Sequence, residues 1–174
     1  MRVDRSTLAW LQRFVVIFLI LIPTSAQATD DVMHAPDFAI AQIRLTPTDS
    51  STSISFSVKL AVTPSQHAYG LMFSRSLPPK SGMLFLFEDM KPRTFWMKNT
   101  PIALDMLFFD DSGQLVTLIS NAKPNTLTLL HSRMSARYVL EIGGLEASRL
   151  NIKIGSRLHL PIVITGYEPT LRKK

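Results

Sequence analysis

The sequence predicts a mostly β protein: a single antiparallel β-sandwich or barrel of jelly-roll-like character, with two short helices. Three observations predict it. Residues 53–62 alternate strictly, with Ile54, Phe56, Val58, Leu60 and Val62 on one face, the period of a half-buried strand. Apolar runs of strand length recur down the chain between clusters of Gly, Pro, Asn, Asp and Ser, as in closed or packed β folds. The two helix signals are too short to be more than covers at the ends of a sheet.

Residues 1–28 have the pattern of a signal peptide. Arg2, Arg5 and Arg13 supply a positive start, Phe14 to Ile22 an apolar core, Pro23 a helix break, and Ala26-Gln27-Ala28 a small-x-small cleavage site. The apolar core is short against the roughly 20 residues of a spanning helix. The expectation is export to the bacterial periplasm with no membrane span after signal removal; the alternative is an inner-membrane anchor formed by an uncleaved N-terminal helix. Residues 29–37 are a polar, flexible lead, 38–166 a single β domain and 167–174 a basic tail ending Arg172-Lys173-Lys174.

Within the domain, Phe38 to Leu45 is the first expected strand, and Ser53 to Val62 the second. Thr63-Pro64-Ser65-Gln66 then combines an N-cap, a proline suited to the first helical position and a Gln that completes a capping box. A short helix is expected from Pro64 to about Met72. Ser76 to Gly82 is a loop. Met83 to Phe87 is continuously apolar, the mark of a strand covered on both faces, and Glu88 to Arg93 is expected to turn. Asp110-Asp111-Ser112-Gly113 is a turn before a strand at Gln114 to Ile119. Asn121 to Ser135 is irregular, with an edge strand possible at Thr126 to Leu130. Arg137 to Ile142 is a strand closed by Gly143-Gly144, Leu145 to Leu150 a helix, and Arg157 to Thr165 the last strand. Pro161 removes a ladder donor there and argues for a sheet edge or a bulge.

The densest stretch is Thr94 to Asp110. It reads as a hairpin around Pro101-Ile102, with Lys98 facing Asp105, Met97 facing Met106 and Phe95 facing Phe108. One face then carries Phe95, Met97, Met106 and Phe108, a core face. The other carries Trp96, Lys98, Asp105 and Leu107, an indole beside a cross-strand ion pair.

Several motifs resemble one family. Gly70-Leu71-Met72-Phe73, Leu77-Pro78, Gly82-Met83-Leu84-Phe85, Phe95-Trp96-Met97-Lys98-Asn99-Thr100, Leu104-Asp105 and Tyr138-Val139-Leu140-Glu141 occur in the order and spacing of the domain of unknown function 192 family. The resemblance covers roughly residues 40–165. It implies a mostly antiparallel β domain of jelly-roll-like character and implies no activity. Ser74 stands where an Arg commonly follows the first motif, with Arg75 displaced by one.

Composition narrows the function classes. The chain has 174 residues, a formal net charge of +6 and no cysteine. Disulfides, thiolate chemistry and a lipid-bearing cysteine are therefore absent from its repertoire. The surplus charge forms no basic stripe with interleaved aromatics, so nucleic acid is not an expected partner. The ligand-binding candidates are Arg75, Trp96, Lys98, Asn99, Asp105 and Glu141: a stacking wall, two cations, and groups for hydroxyls or amides. They fit a small ligand or an envelope component, such as a sugar or small anionic metabolite. The same residues also admit a structural reading, as a sheet ion pair and a turn. No nucleophile–base signature, cofactor motif or metal motif appears, and nothing indicates an oligomeric state. A non-catalytic ligand- or partner-binding module of the periplasm is the leading expectation. Two alternatives are a hydrolase of envelope carbohydrate or peptide, with Asp105 and Glu141 as a carboxylate pair, and a Met-based copper-binding protein, since thioethers suit Cu(I) and the chain has eight Met.

Overall fold

The computed structural model describes residues 35–161. The expected signal peptide, most of the lead, the far half of the last strand and the basic tail lie outside them. The described chain forms β1 (Ile40–Thr46), β2 (Ile54–Ala61), α1 (Pro64–Tyr69), β3 (Ser81–Phe95), β4 (Leu104–Phe109), β5 (Leu115–Ala122), β6 (Leu130–Gly143), α2 (Glu146–Arg149) and β7 (Arg157–His159). It is mostly β with two short helices, as expected.

The strands build one curled, seven-stranded sheet in the order β5-β4-β6-β3-β2-β1-β7. The purely antiparallel expectation is corrected here. β2 and β3 pair in parallel, from Ser57 opposite Ser81 to Ala61 opposite Phe85. The connection between them holds α1, and parallel neighbours need such a crossover. Of the expected sandwich or barrel, the single curled mixed sheet is a half-barrel and not two stacked sheets. It curls until its outer strands touch. Gln114 bridges to Arg157, and Leu158 N donates to Gly113 O at 2.7 Å. Gly113 has φ 81°, and a Cβ there would lie 2.5 Å from the Leu158 carbonyl oxygen, so this closure requires glycine.

Period-two alternation sorts the core into two layers. Phe56, Val58 and Leu60 of β2 join Leu84, Leu86, Leu107, Phe109, Leu140 and Ile142 inside the curl. Met83, Phe85, Met106, Phe108 and Val139 form the second layer on the outer face. β4 is buried along its whole length; it lies between β5 and β6, not beside β3.

The central hairpin is the main correction. Residues 96–103 are a loop, and β6 is inserted between the two strands that the hairpin would have paired. The apolar pattern nevertheless points the right side chains inward. Met97, Met106 and Phe108 are buried, and Phe95 packs against them. Glu88 to Arg93 is no turn either: β3 continues to Phe95, with register shifts on either side of Lys91 and Pro92. A proline is tolerated at such an irregularity. Arg93 braces it, donating its backbone N–H to Ser132 Oγ (2.9 Å) and Nε to the Ala136 carbonyl (2.9 Å). The partner arm is the start of β6, which takes in residues 130–135 of the stretch expected to be irregular, while residues 123–129 form no edge strand.

Candidate functional site

Three strands meet in a row on the outer face. Glu141 of β6 pairs with Met83 of β3 and with Met106 of β4, and directly paired residues share a face. A carboxyl therefore stands between two thioethers. Both methionines are 0% exposed and Glu141 is 4% exposed. The local cause is alternation: Leu140 and Ile142 enter the curl, which sends Val139 and Glu141 outward. Gly82 allows β3 and β6 to approach, since a Cβ on it would lie 2.0 Å from the Glu141 carbonyl oxygen.

Two segments cover this row. One is α1 with the turn that follows. The expected capping box forms, with Gln66 N donating to Thr63 Oγ1 and Thr63 N donating to Gln66 Oε1. The other is the loop after Phe95. Met97 anchors it in the core, and backbone bonds clamp it on two sides: Phe73 N to Asn99 O (2.7 Å), and Asn125 N to Thr100 O (3.0 Å).

Between the covers lies a cavity of about 30 Å³, room for about two water-sized groups. Its walls include the rings of His67, Tyr69, Phe85, Phe95 and Trp96; its polar groups are Lys98, Thr100 and Glu141. Phe85 and Phe95 meet edge to face at 5.1 Å. Among the described residues no hydrogen bond or ion pair reaches the Glu141 carboxyl, and burial pushes its pKa from 4.5 up to about 8. At neutral pH it is mostly a carboxylic acid, able to donate as well as accept. His67 donates from Nε2 to the Ala61 carbonyl at 2.9 Å, and burial lowers its pKa below 6.5. Lys98 Nζ sits 5.2 Å from the Trp96 ring centroid, a cation–π contact. Trp96 itself is 45% exposed, at the outer margin.

The six sequence candidates separate into three groups. Trp96, Lys98 and Glu141 share the cavity. Arg75 and Asn99 line a second, open concavity with Phe73, Pro101 and Asn125, across the same loop. Asp105 lies at neither. It is 0% exposed, and accepts from Ser120 Oγ (3.1 Å) and from the backbone N–H groups of Asn121 (2.7 Å), Leu145 (3.0 Å) and Ala147 (2.8 Å). Its carboxylate ties β5 and the start of α2 to β4. The expected Lys98–Asp105 pair is absent among the described residues. Asp105 also faces the opposite side of the sheet from Glu141, because Met106 is the residue paired with Glu141. The two carboxyls therefore cannot flank one scissile bond.

Sequence reasoning missed His67, Tyr69, Phe85 and Thr100 as cavity residues. The capping box marks the helix that carries His67, but nothing local says that this helix lies over β6. The buried methionines Met83, Met97 and Met106 fill the outer-face layer; Met72 borders the cavity.

The sequence matches the domain of unknown function 192 family, DUF192, described as an uncharacterized ACR, over residues 45–160. The chain belongs to this family. Two solved structures are similar to the DUF192 chain described here. One is a putative transcription regulator from Sinorhizobium meliloti 1021, 38% identical, covering 72% of this chain and 97% of its own, with a TM-score of 0.69. The other is a protein of unknown function from Novosphingobium aromaticivorans DSM 12444, 34% identical, covering 74% and 96%, with a TM-score of 0.66. No curated protein matches.

Proposed function

We propose that this DUF192 chain is a non-catalytic binding domain, exported to the bacterial periplasm, whose small ligand or envelope component enters the cavity between α1 and the Phe95–Thr100 segment. One observation carries the reading: Glu141 is a buried carboxyl with no partner among the described residues, at a cavity walled by rings. Among the described residues no buried side-chain nitrogen or oxygen lacks a partner, so the Glu141 carboxyl, which has none, opens onto the cavity. A ligand that enters there meets a carboxyl free to hydrogen-bond it. Binding is favoured over turnover because the cavity pairs Glu141 with no second carboxylate and no nucleophile–base couple. The charged start, apolar core and Ala26-Gln27-Ala28 site support export.

Thermal-shift screening against amino acids, amino sugars, peptides and small organic acids tests the binding reading. A ligand at a hundredfold its Kd raises stability by about 2.7 kcal/mol, on the order of 10 °C in melting temperature. The shift should be smaller in Trp96→Ala. A screen without any Trp96-dependent shift refutes the binding reading. N-terminal sequencing of the exported product should begin at Thr29, and a product retaining Phe14 to Ile22 refutes cleavage.

A further inference from the structure

We infer that the cavity over Glu141 is a receptor for a primary ammonium group, the –CH2–NH3+ end of an alkylamine or of a lysine side chain. The inference rests on the binding reading above and names its ligand class. Three features of the cavity converge on a cation. Glu141 supplies an anion-forming group with no internal partner among the described residues. The walls around it include aromatic rings, whose faces attract cations through the ring quadrupole. The indole at the margin already carries one cation, for Lys98 Nζ lies 5.2 Å from the Trp96 ring. Lys98 has no carboxylate within ion-pair distance among the described residues. The protein's own ammonium thus rests on the rim of the site that a ligand ammonium would occupy.

Size selects the kind of cation. About 30 Å³ holds two non-hydrogen atoms, a methylene and an ammonium nitrogen, and is too small for a trimethylammonium head. The proton balance is explicit. Glu141, mostly protonated at pH 7 when the site is empty, gives its proton to solvent. The resulting carboxylate then pairs with the incoming R–NH3+, which stays protonated throughout. The other titratable groups lining the cavity are His67, which already donates to Ala61, Tyr69 and Lys98. Entry of a second cation makes Lys98 an electrostatic competitor, so Lys98 tunes affinity downward instead of binding an anion.

The test is isothermal titration of the purified whole chain with n-butylammonium, n-butanol, butyrate and tetramethylammonium at pH 7, in two buffers of different ionisation heat. The Trp96 indole N–H resonance is followed in parallel. The expected result is saturable binding of n-butylammonium alone, with release of about one proton. Glu141→Gln should weaken it about 10- to 100-fold, and Lys98→Gln should tighten it. Trp96→Ala, at an exposed position, should weaken it about 2- to 5-fold and carries the test even if Glu141→Gln does not fold. Cadaverine and Nα-acetyl-lysine methylamide distinguish a free amine from a peptide lysine as the source. Saturation by butanol or butyrate but not by butylammonium overturns the ammonium inference and leaves the binding reading standing. Saturation of no probe in wild type or Lys98→Gln, together with an empty thermal-shift screen, overturns both. Butylammonium affinity unchanged in both Glu141→Gln and Trp96→Ala overturns the inference by placing the amine elsewhere.

Discussion

Replacing Glu141 by Gln should make the protein more stable at alkaline pH, the reverse of most core substitutions. The folded-state pKa of Glu141 is raised from 4.5 to about 8 by burial. Between those values the folded protein holds more protons than the unfolded chain, so stability falls as pH rises through that window. Above about pH 8 the folded state carries the full cost of an uncompensated buried charge. The interval from 4.5 to about 8 corresponds, at ~1.36 kcal/mol per pH unit, to roughly 5 kcal/mol as an upper bound. Water admitted to the cavity lowers it. Glutamine matches the shape, retains a donor and an acceptor, and cannot ionise. Urea unfolding of wild type and Glu141→Gln at pH 5 and pH 9 should show nearly equal stabilities at pH 5. At pH 9 the variant should lead by about 2–5 kcal/mol. His67 contributes an opposite slope below 6.5, where its lowered pKa costs stability as pH falls, but it does so in both proteins and cancels in the difference. Parallel pH profiles for the two proteins would refute the reasoning, because they would mean that Glu141 is already ionised and paired.

Phe108→Ala removes a fully buried ring that Phe95 meets edge to face, and should cost about 3–5 kcal/mol by chemical denaturation. Asp105→Ala strands the N–H groups of Asn121, Leu145 and Ala147; a loss of about 3 kcal/mol or more is expected, with faster amide exchange at Leu145 and Ala147. Gly82→Ala forces a Cβ against the Glu141 carbonyl, so the β3–β6 pairing should loosen and the melting temperature fall. Lys98→Ala removes a half-buried side chain with no ion-pair partner among the described residues, and should change stability by no more than about 1 kcal/mol.

Much of the fold is legible from alternation and capping. Residues 54–61 bury Phe56, Val58 and Leu60 as the period requires, and the Thr63–Gln66 box starts α1 where the sequence places it. Strand partners are less legible, because an apolar stripe states which side faces the core and not what lies alongside. Phe95, Met97, Met106 and Phe108 share one core layer, as a hairpin would have required. They do so across an inserted β6, with Asn99 at φ 53° in the loop between β3 and β4. The parallel β2–β3 pair is hidden for a similar reason: a short capped helix is compatible with either a cover or a crossover. Part of the site survives these errors. Trp96, Lys98 and Glu141 line one cavity because the buried Met97 and two backbone clamps hold the loop over β6, whereas Asp105 faces the other side of the sheet. The role of His67 depends on long-range packing over β6, for which no local pattern exists.

The central claim is that Glu141 is a neutral, unpartnered acid until a ligand meets it. Difference infrared spectroscopy of the protein with isotope-labelled glutamate reads this directly. At pH 7 the wild type should show the carbonyl stretch of a protonated, buried glutamic acid, absent from Glu141→Gln and replaced by a carboxylate band on adding n-butylammonium. A Glu141 carboxylate band at pH 7 in the ligand-free protein, unchanged by any added amine, would contradict the account.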